Sequence, residues 1–250
     1  MGDVKRKADF FVLSLKKALR RDDLDWKSKG GLNRQMDVSF REEVIKYLVA
    51  RDFAGLLARY GKDKGLPRLL ISLTYDKHQL VCWRAIEALG LLSAGMKQTR
   101  ALDFIDRLFT MMRDESGGNP WSAPEIIGEI IRRNPEAFSH LVPVLVSFRE
   151  EEMFTAGILR TLWLLAGSRP EMVLPYRELA FLYLNSKEPV LRANALMIMK
   201  NLKDGTYAPS MAGLAGDGAS IEYYDGQCLV KKTVGQIAKE AVEACKSSDK

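Results

Sequence analysis

The sequence predicts an all-α protein: an α-solenoid of stacked helical hairpins, with a small C-terminal β-hairpin plus helix cap. Three observations predict it. A self-similar segment returns at steps of 38, 35 and 37 residues, helix-period apolar spacing fills the intervals, and no β-rich run interrupts residues 36–203. The segment WRAIEALG (Trp83–Gly90) aligns without gaps on WSAPEIIG (Trp121–Gly128), with Trp, Ala, Glu and Gly coincident. AGILRTLW (Ala156–Trp163) keeps the apolar pattern, and ANALMIMK (Ala193–Lys200) restores the central alanine. A fixed period of this length is the mark of helical pairs that bury their apolar faces only against neighbouring pairs.

The chain opens on a basic segment, residues 1–35, with ten Lys/Arg against five Asp/Glu. Its apolar core, Phe10 to Leu15, is too short for a signal peptide and is followed by Lys16 and Lys17. Phe11, Leu15, Ala18 and Leu19 share one face of a helix. That suits either an end-covering helix of the domain or a membrane-surface helix. The repeat region, residues 36–203, follows. Arg41–Val49, Asp52–Tyr60 and Leu66–Thr74 read as shortened helices, and Gln98–Met112, Pro135–Val146 and Pro170–Leu184 as the first helices of successive pairs. In the second of these groups, Leu102, Ile105, Leu108 and Phe109 show the three- and four-residue spacing.

Two helix starts carry local signals. Asp76 and Gln79 have capping-box spacing, flanked by Tyr75 and Leu80 at staple spacing. Downstream, Ser122 as N-cap places Glu125 at N3, Pro124 in the first turn, and Trp121 opposite Ile126. In the repeat alignment the later helix therefore starts eight residues after the earlier one. The loop DESGGNPW, residues 114–121, replaces about two turns.

Residues 204–250 change character. A Gly-rich connection, Asp204–Ser220, leads to two short runs around Asp225-Gly226, a pair favoured by type I′ hairpin turns. Thr233 and Gln236 then open an amphipathic helix with capping-box spacing. A lone hairpin is marginal, so this tail is expected to pack on the last helical pair and cover its open apolar end.

DKHQLVCWRAIEALGLL, residues 76–92, resembles the second helix of a HEAT-type repeat, which often reads acid-x-x-x-x-V-R-x-x-A-x-x-A-L-G. Asp76, Val81, Ala85, Ala88, Leu89 and Gly90 match, and Cys82 departs from the usual arginine. The string DESGG-x-x-W-x-APE-x-IGEI is similar to bacterial HEAT-like proteins of the phycobilin-lyase type. The resemblance covers roughly residues 38–203 and implies a repeat shape, not lyase activity.

In such solenoids the second helices line the inner, concave surface. Here that column carries Arg84 and Glu87, then Ser122, Glu125 and Glu129, then Arg160, then Asn194 and Asn201. Its mixed signs suit a protein-binding groove. Trp83 and Trp121, which align in the repeat, are expected to pack between repeats. The expected function is a non-enzymatic scaffold or adaptor that binds a protein partner through the concave face and the 114–121 loop. Arg84, Glu87, Glu129 and Arg160 would supply the face, and Asp114, Glu115, Ser116 and Trp121 the loop. The loop also admits two other interpretations: a local turn with Asp114 or Ser116 bonding nearby backbone, or a small-anion or metabolite site in the notch.

Nucleic-acid binding, as in the similar HEAT-like DNA glycosylases, is disfavoured. Outside residues 1–35 the chain holds 28 basic and 27 acidic side chains, whereas a nucleic-acid groove needs its own basic surface. No catalytic constellation stands out. Cys82, Cys228, Cys245, His78 and His140 show no metal-ligand spacing, and the His-Glu dipeptides of HEAT-type metal hydroxylases are missing, so no cofactor or metal is expected. An odd, sparse cysteine count and the lack of an apolar run near ~20 residues point to a soluble cytoplasmic protein.

Overall fold

The computed structural model describes residues 38–113 and 121–246. Its contacts divide the described residues into two units at the boundary between Glu43 and Val44. The expectations for residues 1–35, and those for Asp114, Glu115 and Ser116, lie outside the described residues.

Helix α1 (Val38–Ala50) is followed by α2 (Phe53–Tyr60), whose N-cap Asp52 accepts a 2.8 Å hydrogen bond from Gly55 N–H. Helical pairs then succeed one another. α3 (Leu66–Ser72) packs on α4 (Leu80–Ala94), and α5 (Gln98–Met112) on α6 (Ala123–Arg133). A broken segment containing α7 (Pro135–Phe138) and α8 (Val142–Val146) precedes α9 (Glu152–Ser168), and α10 (Arg177–Leu182) precedes α11 (Pro189–Leu202). The expected first helices at 135–146 and 170–184 are not continuous. Pro143 and Pro175, which lack an N–H to continue the ladder, start new turns, and 3-10 segments bridge the breaks.

The four long second helices, α4, α6, α9 and α11, form one row. They run parallel, and side chains at the start of α6 and within α9 and α11 donate to backbone carbonyls of the preceding repeat. Ser122 Oγ bonds the Thr74 carbonyl at 2.7 Å and Thr161 Oγ1 that of Pro124 at 3.0 Å. Asn194 Nδ2 reaches Ala156 at 3.2 Å, and Asn201 Nδ2 reaches Trp163 at 3.0 Å. Helix α6 is buried along its whole length from Ala123 to Ile131. Gly90 and Gly128, the aligned glycines of the repeat, are where neighbouring helices come closest. A methyl at Gly90 would collide with the Glu129 side chain. One at Gly128 would overlap Thr161, whose own Cβ would lie 2.8 Å away.

Two expected helix starts are corrected. α4 begins at Leu80 rather than at Asp76, because the Asp76 carboxylate closes a local turn onto His78 N–H at 3.0 Å. α6 does start after Ser122, but the Ser122–Glu125 capping box does not form. Both side chains are buried and are drawn across to the preceding repeat, Ser122 to Thr74 and Glu125 to Lys77. With Leu80 as the reference, α6 starts five residues late in the alignment rather than eight. The Trp121 staple is also absent: Ile126 is fully buried while Trp121 is 61% exposed.

The tail completes a further pair with an insertion. α12 (Ala208–Gly213) packs on α13 (Val234–Lys246), and α13 covers α11. The Thr233–Gln236 capping box forms in both directions, at 2.8 and 3.1 Å. Between the two helices stands an antiparallel hairpin, β1 (Ser220–Tyr224) and β2 (Leu229–Thr233), with Tyr224 opposite Leu229. Its loop has four residues, not the two of a type I′ turn. Only Gly226 takes a positive φ, at 102°, and Asp225 Oδ1 accepts from the N–H groups of Gln227 and Cys228. Helix α13 is the cap; the hairpin does something else, described below.

Gly128→Ala should lower stability by about 2 kcal/mol through overpacking against a β-branched side chain that cannot rotate away. Gly213→Ala, where an added methyl meets nothing within 4 Å, should leave Tm essentially unchanged. Thermal unfolding of both variants checks this, and equal Tm values would remove the close-approach explanation.

Candidate functional site

The second helices present a polar stripe on the side away from the first helices, and the hairpin tip lies across it. Arg160 of α9 is the centre. It is only 6% exposed, with its guanidinium 4.3 Å from the Trp83 ring centroid and 4.9 Å from that of Trp163. The planar cation between two indole faces is an arrangement that arginine makes and lysine does not. Its Nη2 donates a 2.8 Å hydrogen bond to the Tyr224 carbonyl at the end of β1. Burial pushes the guanidinium down to about 10, against the opposing pull of Glu125 and Glu129, so it remains a cation at neutral pH.

Tyr224 fills the space beside it. Its ring stacks on Trp83 at 6.2 Å and 11°. Its hydroxyl lies 3.0 Å from Glu87 Oε2 and 2.9 Å from the Gly226 carbonyl oxygen. Burial, then the charge of Glu87, pushes this phenol up to about 12. Tyr223 meets Trp163 edge-on at 5.6 Å. Arg84 completes the seat. Its Nη2 donates to the Gln227 carbonyl at 3.1 Å, and its Nη1 to the carbonyls of Leu48 and Val49 at the end of α1.

The carboxylates of the stripe are held by cations. Glu129 takes a bidentate bond from Arg132 at 2.6 and 2.8 Å and a third from Arg133 at 2.9 Å. Glu87 Oε1 accepts from Arg51 at 3.3 Å and Arg133 at 3.2 Å. Glu125 Oε1 takes Lys77 Nζ at 2.5 Å. Its other oxygen, Oε2, is buried without a hydrogen-bond partner, close against Gly157. A cavity of about 60 Å³ remains beside the tip, lined among others by Glu125, Glu129, Arg132, Arg160, Tyr224 and Gly226. The chemistry of the recess is stacking and hydrogen bonding: it offers two indole faces, two guanidinium donors and carboxylate acceptors.

Arg84, Glu87, Glu129 and Arg160 are therefore brought together, while Trp121 stands apart. It is exposed at the start of α6, with its carbonyl accepting from Lys77 Nζ at 3.1 Å. The expectation that Trp83 and Trp121 pack between repeats fails for Trp121. Trp83 and Trp163 pack on the hairpin and Arg160. Sequence reasoning missed Lys77, Arg132, Arg133 and the two tyrosines. The adjacent Tyr223-Tyr224 was the available signal, because a solvated hairpin has no use for two large aromatic rings on opposite faces. Among the described residues no group of His, Cys, Asp and Glu side chains is placed to hold a metal ion. No helix there is long and apolar enough to cross a membrane.

Parallel second helices stacked at one-repeat register, each paired with a first helix, make this chain a HEAT-like repeat protein. An uncharacterized protein of Archaeoglobus fulgidus is 30% identical over 182 residues, spanning 71% of this chain and 96% of that protein, and the chain belongs to the same family. No protein-family model matches. Among solved structures it is similar to a designed armadillo repeat protein, at 16% identity, with 93% of this chain and 98% of that one covered and a TM-score of 0.49. It is also similar to the HEAT-like repeats protein of the archaeon Thermococcus onnurineus NA1, at 12% identity, with coverage of 83% and 80% and a TM-score of 0.35.

The raised Tyr224 phenol sets a pH dependence. Its value is 10.0 in a free side chain and about 12 here, so the folded state keeps this proton longer than the unfolded chain does. The stabilisation it contributes is complete below about pH 10 and is lost as pH rises through about 12. A spectrophotometric tyrosine titration should show one phenol near 12 that disappears in Tyr224→Phe. Superimposable titrations of the two proteins above pH 11 (roughly midway through that window) would count against the buried seat.

Proposed function

We propose that the protein is a non-enzymatic scaffold that binds a protein partner along the edge where its second helices begin, beside the 114–121 loop. The observation that carries this reading is a row of exposed apolar side chains. Tyr75 precedes α4 and is 58% exposed, and Trp121 precedes α6 at 61%. Met153 opens α9 at 51%, and Val190 opens α11 at 38%. Because the four helices run parallel, these positions lie at the same end of the row, in or just before the first turn of each helix. Repeated exposure of this kind marks interaction surfaces, and tryptophan and tyrosine are the side chains that most often anchor them. The stripe residues Arg84, Glu87 and Arg160, first expected to contact a partner, are engaged by the chain's own hairpin. That favours the edge as the surface open to a partner.

Affinity purification of the tagged protein from its native host should recover a stoichiometric protein, and Tyr75→Ala combined with Trp121→Ala should lose it. Both side chains are exposed, so the double variant should keep its fold, with a stability change within about 1 kcal/mol. Full retention of the partner by the folded double variant would remove the edge from consideration.

A further inference from the structure

We infer that the recess formed by Trp83, Arg84, Glu87 and Arg160 is a recognition site for a tyrosine-bearing turn of a protein partner, and that the hairpin tip is its internal, displaceable occupant.

The hairpin offers the recess little that is particular to itself. It contributes two phenols, Tyr224 stacked on Trp83 and bonded to Glu87 and Tyr223 edge-on to Trp163, and two backbone carbonyls three residues apart, Tyr224 to Arg160 and Gln227 to Arg84. Any turn presenting two such tyrosines with the same carbonyl spacing makes the same contacts. The recess supplies the specificity. Arg160 lies between two indoles, and Glu87 is bonded by Arg51 and Arg133, so neither group depends on the tip alone for its position.

The internal occupant also fits imperfectly. Gly226 carries no side chain where the tip borders the cavity of about 60 Å³, and Glu125 Oε2 is left buried without a donor.

The hairpin is built to lift at one end. Its base is tied down: Arg192 grips Asp217 at 2.6 Å, Val234 N–H bonds the Ala219 carbonyl, Gly235 N–H bonds the Asp217 carbonyl, and the capping box fixes the start of α13. Beyond the base, the tip is a two-stranded ribbon with no third strand, and such ribbons are marginal on their own. Release of the Tyr224 seat therefore frees the tip without detaching α13 from α11.

This inference rests on the scaffold reading only in taking the occupant to be a protein; its surface is the stripe, not the edge of Tyr75 and Trp121. The test uses the peptide IEYYDGQCLV, the sequence of Ile221–Val230, added to the full chain and to Tyr224→Ala, with binding followed by tryptophan fluorescence and calorimetry. Vacating the recess should tighten binding to the variant about tenfold or more, because the site no longer competes with its own tip. A peptide with alanine in place of the second tyrosine should not bind. If the folded variant binds the peptide no better than the unaltered chain does, the inference fails. Hydrogen exchange on the unaltered chain stands independently of whether the variant folds. Backbone amides of the paired strands within Glu222–Val230 should exchange through an opening that leaves α4, α9 and α13 protected. Exchange of those strand amides only together with the helices would overturn the displaceable tip. Loss of a lysate partner in the edge variant has no bearing on either readout, so the two surfaces succeed or fail separately.

Discussion

The structure depends on the register between its parallel second helices. Ser122, Thr161 and Asn194 each send a polar side chain to a carbonyl of the preceding repeat, and the row comes close enough that Gly90 and Gly128 have no room for a methyl. Two effects act together there. The hydrogen bonds use carbonyls and hydroxyls that burial would otherwise strand at a cost of about 1–3 kcal/mol each. Close approach increases the dispersion contacts between facing Ala, Ile and Leu side chains. A slip of one residue would lose both, so the row behaves as a stiff platform rather than as beads on a string.

That stiffness lets the face of the row hold a buried cation. Arg160 has few places to shed its charge: one carbonyl of the hairpin, two indole faces, and the more distant field of Glu125 and Glu129. Desolvation opposes it, and the surrounding π faces and carboxylates offset that penalty. Around it, Glu87 and Glu129 are neutralised by Arg51, Arg132 and Arg133, so a stripe crowded with charges remains electrostatically balanced. The balance bears on function. A face of this sort discriminates by geometry and pairing instead of attracting polyanions through net charge.

How much of this was legible in the sequence differs by element. Gln98–Met112 was read to the residue because its apolar positions recur with a clean helical period and nothing else competes for them. The Thr233–Gln236 box was legible because both partners lie within one turn and are partly exposed, so no distant group outbids the local bond. At Ser122 and Glu125 the same pattern misled. Those side chains are buried, and a buried hydroxyl or carboxylate bonds whichever group the neighbouring repeat brings to it, here Thr74 and Lys77. The hairpin was visible as two short runs around Asp225-Gly226. Its destination was not, because contacts from Tyr224 to Trp83 and Glu87 close a loop of more than a hundred residues and leave no local periodicity.

The sequence by itself therefore determined the repeat, its period, the second helices and the polar column they carry, since these are written in helical spacings within a repeat and in their recurrence one repeat on. Only the tertiary structure decided that the column is covered by the chain's own hairpin, that Arg160 lies between Trp83 and Trp163, and that Trp121 faces solvent. The physical reason is range. Helical period and capping act over three or four residues and leave a signature in order. The seat of a buried polar group is chosen by whichever partner folding brings within hydrogen-bond reach, however far away it lies along the chain.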